Sequence, residues 1–169
     1  MEDSKLKDVF LGKECAEKVL KDQFLETPPI VTYSLIGEYG LSLCSASFED
    51  PTISGWLDIN QRRIVLNQEE SIYRQNFTLA HELGHWLMHK EKVKKNSSLA
   101  ILYRKPLGCE TDPLEIQANA FAAYLLVPDF LLKKNWNKSD LQLMKVFGVS
   151  QSVIGFRRKN FSSERKNYE

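Results

Sequence analysis

The amino-acid sequence predicts an α+β domain in which a small three-stranded antiparallel sheet packs on a mainly helical body. Three observations indicate this class. Apolar residues recur at three- and four-residue steps over most of the chain, which is the spacing of amphipathic helices. Between residues 41 and 67 the pattern changes to short runs typical of strands. The length of 169 residues and the hydrophobic content of 43% suit a single globular domain with a substantial core.

Two helices are expected before the sheet. Residues 9–24 place apolar side chains mostly three and four positions apart, and the TPP sequence that follows would end this helix. A second, short helix is expected over residues 30–39, because Gly40 then occupies the position where a glycine commonly ends a helix.

Three strands are expected in the runs LSLCSASF, TISGWLDI and RRIVLN, at residues 41–48, 52–59 and 62–67. A turn at Asn60 and Gln61 would join the last two strands. Because the strands are short and closely spaced, we expect them to form an antiparallel sheet. If RRIVLN is the edge nearest the functional site, an extended peptide could add to it as a further strand.

The helical spacing returns over residues 71–90. Residues 91–112 contain no long periodic run, so we assign them as a loop, with a short strand or a turn over the site as the alternative for their apolar segment LAILY. Pro113 suits the first turn of a helix, which then runs to Pro128. This helix is apolar on nearly every side, and we therefore expect it to be buried.

Three shorter helices are expected towards the C-terminal end. One covers residues 129–134, and two others begin at Ser139 and Ser150, whose side-chain oxygens suit the N-cap position. The last two flank a glycine turn and resemble half of a helix-turn-helix motif. We divide the chain into a main domain, residues 1–136, and a helical appendage, residues 137–169, packed on the same core. The final residues, SSERKNYE, are expected to be frayed.

The charge balance offers no bulk attraction to nucleic acid or to an anionic membrane. Lys and Arg number 23 against 22 Asp and Glu, for a net charge of +1. Cys15, Cys44 and Cys109 form neither a CxxC pair nor a disulfide framework. The charged N-terminus lacks the apolar core of a signal peptide, and no segment has the length needed to span a bilayer. We therefore expect a soluble, cytoplasmic protein with reduced thiols.

The segment HELGH contains the most specific motif of the chain. Residues four apart on a helix differ by about 40° around its axis, so His81 and His85 project from one face and can hold one zinc ion. Glu82 lies beside that face, where it can take a proton from a water activated by the zinc. The pattern predicts a catalytic zinc site with Glu82 as general base.

A third histidine, His89, follows at the same spacing. It lies about 12 Å along the helix from His81, whereas zinc–nitrogen bonds are about 2 Å long. The longer pattern HExxHxxGxxH also fails, because Met88 and Glu91 occupy its glycine and histidine positions. We expect His89 to help end the helix by interacting with the C-terminal dipole, with contact to a substrate as the alternative.

A catalytic zinc needs a third protein ligand and one open position for water. Glu115 is the best candidate, because it opens the buried helix and a carboxylate there is costly unless it is paired or bound to metal. The alternative for Glu115 is a partly exposed acid favoured by the helix dipole. Glu91, Glu110 and Asp112 lie in more polar stretches. Asn119, four residues after Glu115, shares its face and could orient a ligand.

The negative charge that develops on a carbonyl oxygen during hydrolysis needs a donor besides the metal. Side chains with suitable chemistry are those of Tyr73, Tyr103, Arg104 and His89. The sequence gives no geometry to select among them, and most tyrosines are packing residues.

Taken in order, IVLN, NFTLAHELGHWLMH and EIQANAFAAYLLVP resemble the ImmA/IrrE family of bacterial zinc metallopeptidases. The resemblance implies a gluzincin-like site on a zincin-like domain, with one zinc ion per chain. The metal ligands and the catalytic base that it implies are His81, His85, Glu115 and Glu82. It also implies Asn119 as part of a recurrent helix signature. Family members typically cleave helix-turn-helix repressors, and this chain resembles the short, mobile-element type without a C-terminal sensory domain.

Two other functions remain open. A metal-bearing antirepressor could sequester its partner without cutting it, although Glu82 beside both histidines favours an enzyme, since sequestration needs no base. A DNA-binding regulator with a structural zinc could use the C-terminal helix pair. However, that pair offers only short polar side chains at its reading end, and its basic residues, 157–159, come late. We therefore favour packing or repressor docking for the pair, without direct contact to nucleic acid.

Overall fold

The computed structural model describes the backbone of residues 2–96, 99–103 and 111–166, and the side chains of residues 3–92 and 111–163. In chain order the described elements are α1 (Glu2–Asp22), α2 (Tyr33–Glu38), β1 (Ser42–Ala46), β2 (Ile53–Asp58), β3 (Arg63–Asn67), α3 (Ile72–Asn96), β4 (Leu99–Tyr103), α4 (Pro113–Leu126), α5 (Asp129–Lys134), α6 (Asp140–Phe147) and α7 (Gln151–Lys166). The predicted α+β class is confirmed.

The strands form one mixed sheet in the order β1-β3-β2-β4. β2 is antiparallel to both β3 and β4, whereas β1 runs parallel to β3, with Leu43 opposite Ile64. The expectation of a purely antiparallel sheet is therefore wrong. The reason is topological: β3 folds back from β2 into the space between β1 and β2, so β1 pairs with β3 instead of with its neighbour in the chain.

The sheet also contains a fourth strand that we had assigned to a loop. The LAILY segment forms β4 and pairs with β2, placing Ile101 opposite Trp56. Its aliphatic side chains favour a strand once the free edge of β2 is available. Because β3 lies inside the sheet, the expected addition of a peptide to RRIVLN is also wrong. The edges of the described sheet are β1 and β4.

Three helices extend further than the sequence predicted. α1 begins at Glu2, α3 continues to Asn96 and α7 continues to Lys166, so the predicted frayed tail is wrong as far as the described residues go. The added turns are rich in Lys and Glu, which favour helix without contributing apolar periodicity. None of the described helices is both long enough and apolar enough to cross a membrane.

α4 lies in the core, as its apolar composition predicted. Its residues from Ile116 to Leu126 are all buried, and it packs against both α1 and α3. Two glycines allow these close approaches. A Cβ atom on Gly12 of α1 would lie 2.3 Å from the backbone oxygen of Gln117, and one on Gly84 of α3 would lie 2.9 Å from Cδ1 of Phe121.

The C-terminal helices pack on the same hydrophobic core, which includes Leu143 of α6 and Val153 of α7. α6 begins with a capping box at Ser139, and it ends at Gly148, whose φ of 63° suits a glycine. Leu141 of α6, by contrast, is 68% exposed. The boundary at residue 136 stays a prediction.

Candidate metal centre

Three side chains from two helices converge where α3 meets α4. His81 and His85 lie one turn apart on α3, and Glu115 stands in the first turn of α4. The Nε2 atom of His81 lies 2.9 Å from Nε2 of His85 and 3.4 Å from Oε2 of Glu115. The Nε2 atom of His85 lies 3.1 Å from Oε1 of Glu115. The structure thus brings together the three residues that the sequence predicted as metal ligands.

The separations between these atoms suit one tetrahedral ion. Bonds of about 2.0–2.2 Å at the tetrahedral angle place neighbouring ligand atoms about 3.3 Å apart, close to the three observed distances. Two imidazole nitrogens and one carboxylate oxygen are also a donor set found in catalytic zinc sites. The side chain of Glu115 is 32% exposed whereas both histidines are buried, so the site opens towards solvent beside the carboxylate.

Asn119 contacts His81 from behind. Its Oδ1 atom lies 2.9 Å from Nδ1 of His81. Since an amide oxygen only accepts, this contact places the His81 proton on Nδ1 and leaves the lone pair of Nε2 facing Glu115 and His85. This geometry fits the orienting role that the sequence suggested for Asn119.

His89 does not lie at the end of its helix, because α3 continues to Asn96. The expected role in ending the helix is therefore wrong, and an exposure of only 1% argues against contact with a substrate. Its Nδ1 atom instead lies 3.0 Å from Nδ1 of His85, and its Nε2 atom lies 2.9 Å from Oε1 of Gln117. His89 thus contacts a predicted ligand on the side away from the other ligands.

Two residues that the sequence did not single out extend this contact. The side-chain amide of Gln117 donates to Oδ1 of Asp8 at 2.6 Å, and both residues are buried. Gln117 carried a signal, because a polar side chain inside an otherwise apolar helix must find a partner. Asp8 carried none, because it lies 109 positions away on a helix with many charged residues.

Glu82 is fully buried beside the ligand pair. Neither of its carboxylate oxygens has a hydrogen-bond partner among the described residues. Burial, with a smaller contribution from the charge of Glu115, raises the pKa of Glu82 well above the ordinary value of 4.5. A buried carboxylate without a donor is costly, which points to a chemical rather than a packing role for Glu82.

The other charges in the site suit metal binding. Burial lowers the pKa of His85, and it lowers the pKa of His89 to about 4, so both rings are neutral near pH 7. Burial alone would raise the pKa of Glu115, but its interactions with His81 and His85 together hold it below its ordinary value. Neutral imidazoles and an ionised carboxylate are the forms that bind a metal.

The remaining candidates are not placed at the centre. Tyr73 stands at the N-terminal end of α3, about 12 Å along the helix from His81, and it lines a small pocket with Gly148. The side chain of Tyr103 and all of Arg104 lie outside the described residues. A role for Tyr103 at the site stays a prediction.

Two histidines on one helix, a glutamate from the next helix and the buried carboxylate of Glu82 define a candidate metallopeptidase centre. The peptidase family described as IrrE N-terminal-like domain matches residues 36–159. The chain belongs to this family, the ImmA/IrrE metallopeptidases, as the sequence resemblance implied.

One known protein is similar to this chain in sequence, and one solved structure is similar to it in fold. The chain is similar to Metallopeptidase ImmA of Bacillus subtilis (strain 168), with 34% identity over 102 residues that cover 60% of this chain and 54% of that protein. Its fold is similar to that of a Mycobacterium tuberculosis transcriptional regulator, with a TM-score of 0.61 and 15% identity, over 90% of this chain and 50% of that one. At such low identity the second likeness concerns the fold alone. The chain spans about half the length of both relatives.

Proposed function

We propose that the protein is a zinc-dependent endopeptidase that hydrolyses a peptide bond in a partner protein, a helix-turn-helix transcriptional repressor. The observation that carries this proposal is the convergence of His81, His85 and Glu115 at ligand distances beside the buried Glu82. Membership in a metallopeptidase family supports the same chemistry. Action on a repressor would take place in the cytoplasm.

The proposed cofactor is one zinc ion per chain, held by His81, His85 and Glu115. When bound, zinc polarises the scissile carbonyl and lowers the pKa of a water molecule. The three residues supply two neutral donors and one negative charge, which leaves a net positive charge to act on the substrate. The open side beside Glu115 is where a peptide would enter.

Glu82 is the proposed general base. Its carboxylate would take the proton from the attacking water and then deliver it to the nitrogen of the departing amine. Burial suits the first step, because a carboxylate with a raised pKa accepts a proton more readily than an exposed one. The absence of competing donors among the described residues leaves both of its oxygens available for this transfer.

The proposed substrate follows from the family resemblance, whose members act on helix-turn-helix repressors. A peptide held as an added strand would be extended, which favours a linker or a locally unfolded segment. β4 is the edge of the described sheet that also packs against α3, the helix that carries both histidines. We therefore place the peptide along β4 rather than along β3.

The test is to incubate the purified protein and zinc with the repressor encoded beside it, for the wild type and for Glu82→Gln. Glu82→Gln keeps all three ligands, so it should bind zinc and repressor but cut at least about 100-fold more slowly, as expected when a general base is lost. Mass spectrometry of the products would locate the scissile bond. Glu115→Ala, analysed for metal content, should retain less zinc than the wild type. A repressor bound but left intact by the wild type would favour the sequestering antirepressor.

The DNA-binding alternative is weakened by the contacts of the C-terminal arginines. Arg157 is fully buried, where it pairs with Asp129 and donates to the carbonyl oxygen of Val127. Arg158 pairs with Asp140 at 2.6 Å. Both cations serve to attach α7 to neighbouring elements, so they are not free to contact phosphates.

A further inference from the structure

A continuous line of buried hydrogen bonds connects α1 with the metal centre. We propose that Asp8, Gln117 and His89 are positioning residues that fix the tautomer and ring orientation of His85 and thereby set the affinity of the site for zinc. The proposal rests on the metal site of the proposed function, but it does not require that the protein cut a peptide.

The amide group of Gln117 fixes the direction of every hydrogen bond in the line. Its nitrogen donates to Asp8, so its oxygen faces His89 and must accept from Nε2 of that ring. With its proton on Nε2, neutral His89 presents the lone pair of Nδ1 to His85. His85 therefore donates from Nδ1, and its Nε2 lone pair is left for the metal. One amide orientation thus selects the metal-binding tautomer of His85.

Burial makes this selection effective. Asp8 and Gln117 are 9% and 8% exposed, and the two histidines are nearly inaccessible. Water therefore cannot easily replace any partner, and each hydrogen bond is electrostatically stronger than it would be at the surface. The carboxylate of Asp8 ends the line with a negative charge, which favours donation towards it and makes the metal-facing nitrogen of His85 a better donor to a cation.

The packing of α1 explains how Asp8 reaches the centre. Asp8 and Gly12 lie four residues apart and so face the same side of α1. Gly12 brings the helix so close to α4 that a Cβ atom there would overlap the backbone of Gln117. One turn earlier, Asp8 meets the side chain of that same residue. The helix that supplies this carboxylate lies outside the residues matched by the family, 36–159.

The test measures zinc binding by competition with a chromophoric chelator. Gln117→Leu removes both hydrogen bonds of the amide and should weaken zinc binding about 10–100-fold, the usual effect of losing an outer partner of a metal-binding histidine. Val19→Ala is the matched control, because it opens a cavity in the buried face of the same α1 without touching the line. Its zinc affinity should equal that of the wild type, whatever its melting temperature.

A pair of substitutions separates positioning from packing. Gln117→Glu places a second carboxylate against Asp8 and should weaken zinc binding. Adding Asp8→Asn restores one donor and one acceptor between positions 8 and 117. That hydrogen bond then runs from the amide at position 8 to the carboxylate at position 117, opposite to the wild type, but position 117 still accepts from Nε2 of His89. The double variant should therefore recover at least the wild-type affinity. Nitrogen-15 NMR of the zinc-loaded wild type should find His85 protonated on Nδ1 and His89 on Nε2.

Several outcomes distinguish the inference from the proposed function. Unchanged zinc affinity in Gln117→Leu, or a double variant no tighter than Gln117→Glu, would overturn the positioning role. If zinc affinity depends on Gln117 as predicted but the wild type cuts no repressor, the positioning role is supported and the proposed peptidase function is wrong. A wild type that binds no zinc at all would overturn both.

Discussion

Replacing Gly12 with alanine tests how closely α1 packs on α4. The added Cβ atom would lie 2.3 Å from the backbone oxygen of Gln117 and 2.8 Å from both Cβ of Ala120 and the backbone nitrogen of Phe121. Two of these obstacles are backbone atoms, which cannot turn aside. The helices must therefore separate by about 1 Å to restore an ordinary contact.

The expected cost follows from two opposing effects. Overpacking costs about 1–3 kcal/mol, and the better helix propensity of alanine returns about 1 kcal/mol. Because rigid backbone stands in the way, we expect the upper part of that range and a net loss of about 1–2 kcal/mol. For a chain of this size, that loss corresponds to a melting temperature lower by about 2–8 °C.

The matched control is Gly155→Ala in α7, where a Cβ atom would meet nothing within 4 Å. This variant gains the same helix propensity without the clash, so its melting temperature should rise slightly. Thermal unfolding of the metal-free proteins, followed by circular dichroism, gives the comparison. If Gly12→Ala melts at or above Gly155→Ala, the close packing of α1 on α4 is incorrect.

Three further predictions concern buried charges and thiols. Since burial raises the pKa of Glu82, the stability that this group contributes to the metal-free protein is complete below its ordinary pKa and is lost as the pH rises towards its pKa in the folded protein. The free energy of unfolding of Glu82→Gln, measured in urea from pH 4 to 8, should therefore fall less with rising pH than that of the wild type. Parallel pH profiles for the two proteins would contradict this prediction. Burial raises the pKa of Cys15 to about 11, so iodoacetamide at pH 8 should label Cys15 more slowly than the exposed Cys44. Peptide mapping would measure the two labelling rates, and equal rates would count against the packing of α1. Arg157→Met should reduce the free energy of unfolding by about 2–3 kcal/mol, which is less than the cost of breaking a fully buried ion pair because Asp129 is partly exposed. Urea unfolding would measure this change, and a reduction below about 0.5 kcal/mol would show that the ion pair is dispensable.

The proximity of the candidate ligands could be predicted in part from the sequence. His81 and His85 are placed together by helix geometry alone, and four-residue spacing needs no knowledge of the fold. Glu115 was chosen because a carboxylate at the start of an apolar helix has few acceptable surroundings. The structure adds the distances that make these three residues one donor set.

The long-range features did not follow from the sequence. The strand order depends on β3 entering between β1 and β2, which no local pattern of β3 reveals. His89 was misjudged because the apolar period of α3 fades before the helix ends. Asp8 and Gln117 are 109 positions apart in the sequence and come into contact only because α1 packs on α4. Of the two residues, only Gln117 could be suspected from the sequence, because its amide lies in an apolar helix.

Because Asp8 lies on α1, zinc binding would also depend on the docking of α1 onto the rest of the protein. The line of hydrogen bonds that ends at His85 includes residues of α1 and of the buried helix α4, so it is complete only after α1 has docked on α4. Because a ligand that binds only the folded state stabilises it, zinc at 100 times its dissociation constant would add about 2.7 kcal/mol, shared by every element that the site requires. A copy of the protein with α1 undocked would bind the ion weakly, which would tie peptidase competence to a correctly assembled N-terminal region.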